Sequence, residues 1–155
     1  MALELYMLGL IVQDMDKSLE FYRRLGLAIP EGSEKKTHVQ IKMGSGLTFF
    51  LDSSPSRWDP RFVRKDDPGR MEARMEARPE PSGSYSSLLE FYLKTRDAVD
   101  AKYAELTGFG YQSHCAPYET PFGMCFAFIN DPDGNTILLS GDLVENEAAK
   151  EEPGA

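Results

Sequence analysis

Apolar positions recur along the chain with two periods. Stretches of period two read as strands, and one stretch of period 3.6 in each half reads as an amphipathic helix. The clearest pattern is residues 126–139, FAFINDPDGNTILL, two apolar runs joined by Asp131-Pro132-Asp133-Gly134. Pro132 presets φ for a type I turn. Asp131 can accept from a backbone N–H two residues on, and Gly134 can take the positive φ that returns the chain to a sheet. A β-hairpin follows. A calcium loop does not, because the remaining ligand positions and the distal glutamate of an EF-hand are missing.

In chain order, residues 3–12 are apolar enough for a mostly buried strand, with Gly9 leaving a bare patch. Asp14 or Asp16 then caps a helix running to Leu25. Leu19, Phe21, Tyr22 and Leu25 mark its buried side, Arg23 and Arg24 suit its C-terminal dipole, and Gly26 ends it at positive φ. Residues 27–30 read as a short edge strand. Residues 37–43 set His38, Gln40 and Lys42 against Val39, Ile41 and Met43, a half-buried strand, and 44–46 turn the chain into a strand at 47–51. The second half runs through a strand at 86–93 and a helix at 99–106 with Val99, Tyr103 and Leu106 on one face, closed by Gly108. Strands at 109–117, 124–130 and 136–140 follow.

The halves repeat. Residues 41–51 match 129–139, with Gly46 on Gly134 and Phe50 on Leu138, and residues 12–26 match 93–108. That spacing is too long for a solenoid and predicts a duplicated β-α-β-β-β module, an α+β fold. The expected boundaries are a first module at 1–51, an insert at 52–83, a second module at 84–141 and an acidic, disordered tail at 142–155. The insert is rich in proline and charge, and its near-repeat at 71–78 could form two helical turns. Trp58 and Phe62 are its apolar anchors. They either tack the loop down, or one of them is the lid of a pocket, with Trp58 carried among the candidate ligand-binding residues.

Composition narrows the partners. A net charge of −8 and a pI near 4.8 argue against nucleic acid and are compatible with a cationic ligand or simply a solvated acidic surface. No apolar run approaches the roughly 18 residues of a membrane helix. Residues 1–10 lack the basic leader of a signal peptide, so a cytoplasmic setting is expected. Cys115 and Cys125 fall on successive strands. They could face each other across a hairpin, although two reduced, partly buried thiols suit that setting better.

The run Val12, Asp14, Met15, Asp16, Ser18, Leu19, Phe21, Tyr22, then Leu25-Gly26-Leu27, and finally Asp131 to Asn135, resembles the vicinal oxygen chelate superfamily. That group includes glyoxalase I, bleomycin resistance proteins, extradiol dioxygenases and fosfomycin resistance enzymes. The resemblance covers about residues 3–141 without the insert. It implies two βαβββ modules forming an open, cup-shaped sheet around a cleft, and commonly a homodimer. Such enzymes hold a divalent metal with His, Gln or Glu on the first and last strands of each module. The corresponding positions here are Met7, Phe50, Leu88 and Leu138, none of which offers a nitrogen or an anionic oxygen. The resemblance therefore leans toward a metal-free, bleomycin-resistance-like binder with no cofactor. A metal relocated to His38 and His114, the only histidines, is the enzymatic alternative, together with Glu90 as a base.

Period two places the cleft's lining. Leu5, Met7 and Gly9 share one side of the first strand, and Leu88, Glu90 and Tyr92 one side of the fifth. Thr48 and Phe50, then Thr136, Leu138 and Ser140, extend it. Phe126 or Met124 adds to it, with the parity of that strand left open. The candidate ligand-binding residues are thus Met7, Gly9, Phe50, Trp58, Leu88, Glu90, Tyr92, Phe126 and Leu138. The wall is apolar and aromatic with one carboxylate, suited to a small aromatic or cationic organic molecule. Glu90 either meets such a cation, acts as a base, or pairs with an arginine of the helix or insert.

Overall fold

Strand β1 (Met7–Ile11) leads through Val12 into helix α1 (Met15–Leu25). Asp14 is the N-cap, its carboxylate accepting from the Lys17 amide at 3.2 Å. Gly26 closes the helix at φ 126°, and the Leu27 amide reaches back to the Tyr22 carbonyl at 2.9 Å. After a 3-10 turn at Ser33–Lys35 come β2 (His38–Lys42) and β3 (Thr48–Asp52), then a second 3-10 turn at Pro55–Arg57. This computed structural model describes residues 3–63 and 85–143. The expected helical turns at 71–78 and the acidic tail lie outside the described residues.

The chain divides into two compact units, Met1–Ser84 and Tyr85–Ala155. In the first, β1 pairs parallel with β3, and β3 antiparallel with β2, giving the order β1-β3-β2. One face carries Phe49, Leu51, Val39 and Ile41, all buried. It packs on α1, where the Tyr22 ring meets Phe49 edge-on at 5.5 Å between centroids. Each such side chain contributes about 2 kcal/mol by leaving water.

The second unit holds β4 (Leu88–Thr95), α2 (Arg96–Gly108), β5 (Ser113–Glu119), β6 (Met124–Asn130) and β7 (Thr136–Asp142). The sheet order is β4-β7-β6-β5, with β4 and β7 parallel. Cys125, Ala127, Ile129, Ile137 and Leu139 form the buried face, and α2 supplies buried Val99 and Leu106.

The repeat survives in detail. Met7 pairs with Thr48 as Leu88 pairs with Thr136, and Gly9 with Phe50 as Glu90 with Leu138. The two hairpin turns also match. The Gly46 amide bonds the Met43 carbonyl, the Gly134 amide bonds the Asp131 carbonyl, and both glycines have positive φ. Asp131 closes its turn as expected, its Oδ1 accepting from the Asp133 and Asn135 amides at 2.9 and 2.8 Å.

Several expectations are corrected. Residues 27–30 form no strand. The Ile29 amide folds back on the Leu27 carbonyl, Pro30 has no N–H to donate, and the Pro30 carbonyl is taken by Arg23 and Ser33. The first module therefore reads β-α-β-β among the described residues, and only the second is β-α-β-β-β. The first strand starts at Met7 and is half-buried, not mostly buried; Leu5, expected in its wall, lies ahead of it and is exposed. Helix α2 runs through Gly108, and Gly110 supplies the positive φ that ends it. Cys115 pairs with Phe128 and Cys125 with Glu119, so the two free thiols do not oppose each other. Burial pushes the Cys125 thiol up from its ordinary value.

Candidate functional site

Each sheet has a second face, turned away from its helix. In the first unit the registers place Met7, Thr48 and Lys42 in one row, Gly9, Phe50 and Gln40 in the next, and Ile11, Asp52 and His38 in the third. Cross-strand partners share a face, so these side chains project together. Gly9 is bare for a reason: a Cβ there would sit 2.0 Å from Phe50 Cζ. The Phe50 ring lies over that glycine.

At the other end of this face stands a polar cluster. Asp52 is buried, and its Oδ2 accepts from His38 Nδ1 at 2.8 Å and Trp58 Nε1 at 3.0 Å. Its Oδ1 accepts from the Ser54 amide at 2.7 Å. Burial pushes this carboxyl up, but the bonds from Trp58, His38 and Ser54 outweigh it and hold the group below its ordinary value. His38 also lies 5.0 Å from the Phe50 ring, tilted by 32°. Trp58, expected either as a tack or as a lid, is tied by its indole N–H to Asp52 while its ring stays exposed.

The second unit presents a different face. Leu88, Thr136 and Asn130 form one row, Glu90, Leu138 and Phe128 the next, and Tyr92, Ser140 and Phe126 the third. This fixes the parity of β6: Phe126 and Phe128 stand on the Glu90 side, while Cys125, Ala127 and Ile129 are buried on the other. The rings form a continuous surface. Phe126 and Phe128 are 6.3 Å apart, Tyr118 is within 6.4 Å of both, and His114 stacks on Phe128 at 5.8 Å and 14°. Phe122 meets Phe126 edge-on, and Tyr85 meets both His114 and Phe128.

Glu90 is exposed on the same face, across Leu138 from Phe128, and accepts from Ser140 Oγ at 2.8 Å. An arginine partner was one expectation; the partner found is Ser140. Tyr92, also exposed, donates its hydroxyl to Asp142, and that hydrogen bond, with the carboxylate's charge, holds the phenol above its ordinary value. Leu138 is buried between Glu90 and Phe128 in its row, and Leu88 lies on the same face near the strand start.

Thus Gly9 and Phe50 touch, Met7 shares their face, and Trp58 joins through Asp52. Glu90, Leu138, Tyr92 and Phe126 share a face of the second sheet. Asp52, Gln40, Phe128, Tyr118 and Phe122 join these faces without having been expected as site residues from the sequence pattern. The alternation of His38 and Gln40 with Val39 and Ile41 already put two of the neighbours on the open face. Asp52 was hidden because it looked like the first residue of the insert.

Met7, Phe50, Leu88 and Leu138 bring a thioether and three hydrocarbon side chains, a donor set that does not fit a divalent ion. Both ring nitrogens of His38 are engaged, by Asp52 and Gln40. Among the described residues no group of three or more His, Cys, Asp or Glu side chains is placed to hold a metal.

The family model of the Glyoxalase/Bleomycin resistance protein/Dioxygenase superfamily matches residues 5–139. The chain belongs to this superfamily. A glyoxalase-related enzyme from Fulvimarina pelagi superposes with a TM-score of 0.63 at 15% identity, covering 90% of this chain and 88% of that one. A glyoxalase/bleomycin resistance protein/dioxygenase from Nocardioides gives 0.62 at 18%, covering 100% and 90%. A lactoylglutathione lyase from Agrobacterium tumefaciens gives 0.58 at 18%, covering 89% and 92%. At these identities the superpositions carry the fold and nothing finer. No curated protein matches the sequence. Among the described residues no helix is long and apolar enough to cross a membrane.

Proposed function

We propose that this superfamily member binds a small, flat organic cation on the open face of its second sheet, without a metal. The observation that carries the reading is Glu90 on the same sheet face as the rings of Phe126 and Phe128, in one row with Leu138 and Phe128. Aromatic faces attract cations through the ring quadrupole, and an adjacent carboxylate adds charge complementarity. The donor-poor side chains at Met7, Phe50, Leu88 and Leu138 support a role that needs no Lewis acid. A cytoplasmic setting and pairing of two copies, expected from composition and resemblance, belong to the same proposal.

Calorimetry with the trimethylanilinium ion and its uncharged isostere tert-butylbenzene tests this. The cation is expected to bind more tightly. Glu90→Gln is expected to weaken it about five- to tenfold, roughly 1 kcal/mol, while leaving tert-butylbenzene unchanged. Equal affinity for both compounds, or a Glu90→Gln variant that binds the cation like the wild type, would remove the reading.

A further inference from the structure

We propose that His38, oriented by Asp52, is a general base for a planar weak acid of the phenol or azole type, with Gln40 as the donor to the anion formed. Asp52 is ionised, because each of its oxygens accepts from a group that can only donate, Oδ1 from the Ser54 amide and Oδ2 from the Trp58 indole N–H. An ionised Asp52 fixes the proton of His38 on Nδ1. The remaining nitrogen, Nε2, is then the basic one, and it accepts from the Gln40 amide at 3.1 Å. The side chain of Asp52 retains 4% of its surface and that of His38 retains 38%, so the pair has a buried orienting end and a solvent-facing basic end.

The surroundings select the substrate class. Phe50 lies 5.0 Å from the imidazole on one side, and the Trp58 ring is exposed nearby, both flat surfaces suited to a planar ligand. Among the described residues, the charged groups nearest the imidazole by hydrogen bonding are Asp52, bonded to it, and Arg57, whose guanidinium is held on the Thr37 hydroxyl at 2.5 Å, one residue along the chain. Lys42 lies further along the same face. In the step itself, the ligand's O–H or N–H bond breaks and its proton passes to Nε2. The electron pair stays on the ligand as an anion, and Asp52 stabilises the imidazolium through Nδ1. Gln40, displaced from Nε2, turns its N–H to the new anion. All charge is conserved, and no oxidant, reductant or metal takes part.

The test uses the full chain with 4-nitrophenol, whose anion alone absorbs visible light, together with the nitrogen NMR spectrum of the His38 ring. The spectrum is expected to show hydrogen on Nδ1 and a bare Nε2 at neutral pH. Bound 4-nitrophenol is expected to ionise about tenfold more readily than the free compound. His38→Gln should abolish that gain and Gln40→Ala should reduce it. A purely structural clamp would lower the melting temperature of His38→Gln while leaving the anion fraction as in the wild type, and that result overturns the proposal. So does a failure of 4-nitrophenol to bind, or a ring carrying its proton on Nε2. Should His38→Gln not fold, the wild-type spectrum and Gln40→Ala still decide. Loss of trimethylanilinium binding in Glu90→Gln concerns the other unit and leaves this test untouched.

Discussion

Asp52 shows how much one side chain can organise. It joins β2, β3 and the turn after β3 through His38 and Trp58, and its carboxyl is held below the ordinary 3.8 despite burial. A depressed carboxyl stabilises the fold above its unfolded value, and that stability is lost as pH falls through the lower folded value. Urea melts of the wild type should therefore lose stability as the pH drops from about 5 to below 3.8. Asp52→Asn should be less stable at neutral pH by about 1–3 kcal/mol, since its new N–H faces the His38 and Trp58 donors, and should show a shallower acid slope. Parallel slopes would assign the acid loss to other groups. Gly9 is the matching case on the apolar side. Gly9→Ala drives its methyl into the Phe50 ring, so the expected cost is about 1–3 kcal/mol. A changed ring-current shift at His38 would report the displaced ring; an unchanged spectrum would mean Phe50 does not need the bare glycine. Gly9 could be read from sequence as a bare patch. Its cause could not, because strand periodicity says nothing of which ring crosses which backbone.

Elements were more readable than their ends. The caps at Asp14 and Gly26 and the turn at Asp131–Gly134 follow from local chemistry that sequence contains outright. The 27–30 segment failed because its apolar residues suit a strand while its carbonyls and amides are spent on short turns and on Arg23. The β6 run MCFAFIN is apolar on both sides, so period two could not choose its inner face; the small Ala127 and Cys125 sit against α2, and the rings sit opposite. The junction of β4 and α2 was also unreadable. Lys94 takes φ 74° at a register shift between Tyr92 and Thr95, and Gly141 on β7 leaves room for the Thr95 backbone. A Cβ at Gly141 would lie 2.4 Å from the Thr95 carbonyl oxygen, a backbone atom that cannot swing aside. Gly141→Ala should cost at least about 2 kcal/mol, read as a lower urea midpoint. A neutral result would show that the β4 end yields easily.

For the whole molecule, duplication is the deepest regularity. The pairing of Met7 with Thr48 and of Leu88 with Thr136 places the same chain positions opposite each other in both units. From equivalent frames the units diverge. Where the first has Gly9 under Phe50, the second has Glu90 beside Leu138; where the first has Asp52 and His38, the second has Ser140 and Phe126. One face thereby carries an Asp-His pair beside Phe50, the other is aromatic with a carboxylate. Family and fold could be read because the caps and turns that carry them are local. The chemistry could not, because it depends on which side chains share each open face and what surrounds them. The net charge of −8 favours approach of a cation to either face, an attraction that salt screens.

Titrating the trimethylanilinium ion into isotope-labelled protein and following the amide spectrum tests the binding claim most directly. The account predicts that shifts concentrate on β4, β6 and β7 around Glu90, Phe126, Phe128 and Ser140, leave the exposed side of α2 unchanged, and shrink in Glu90→Gln. Shifts gathered on α2, or scattered evenly over both units, would contradict it.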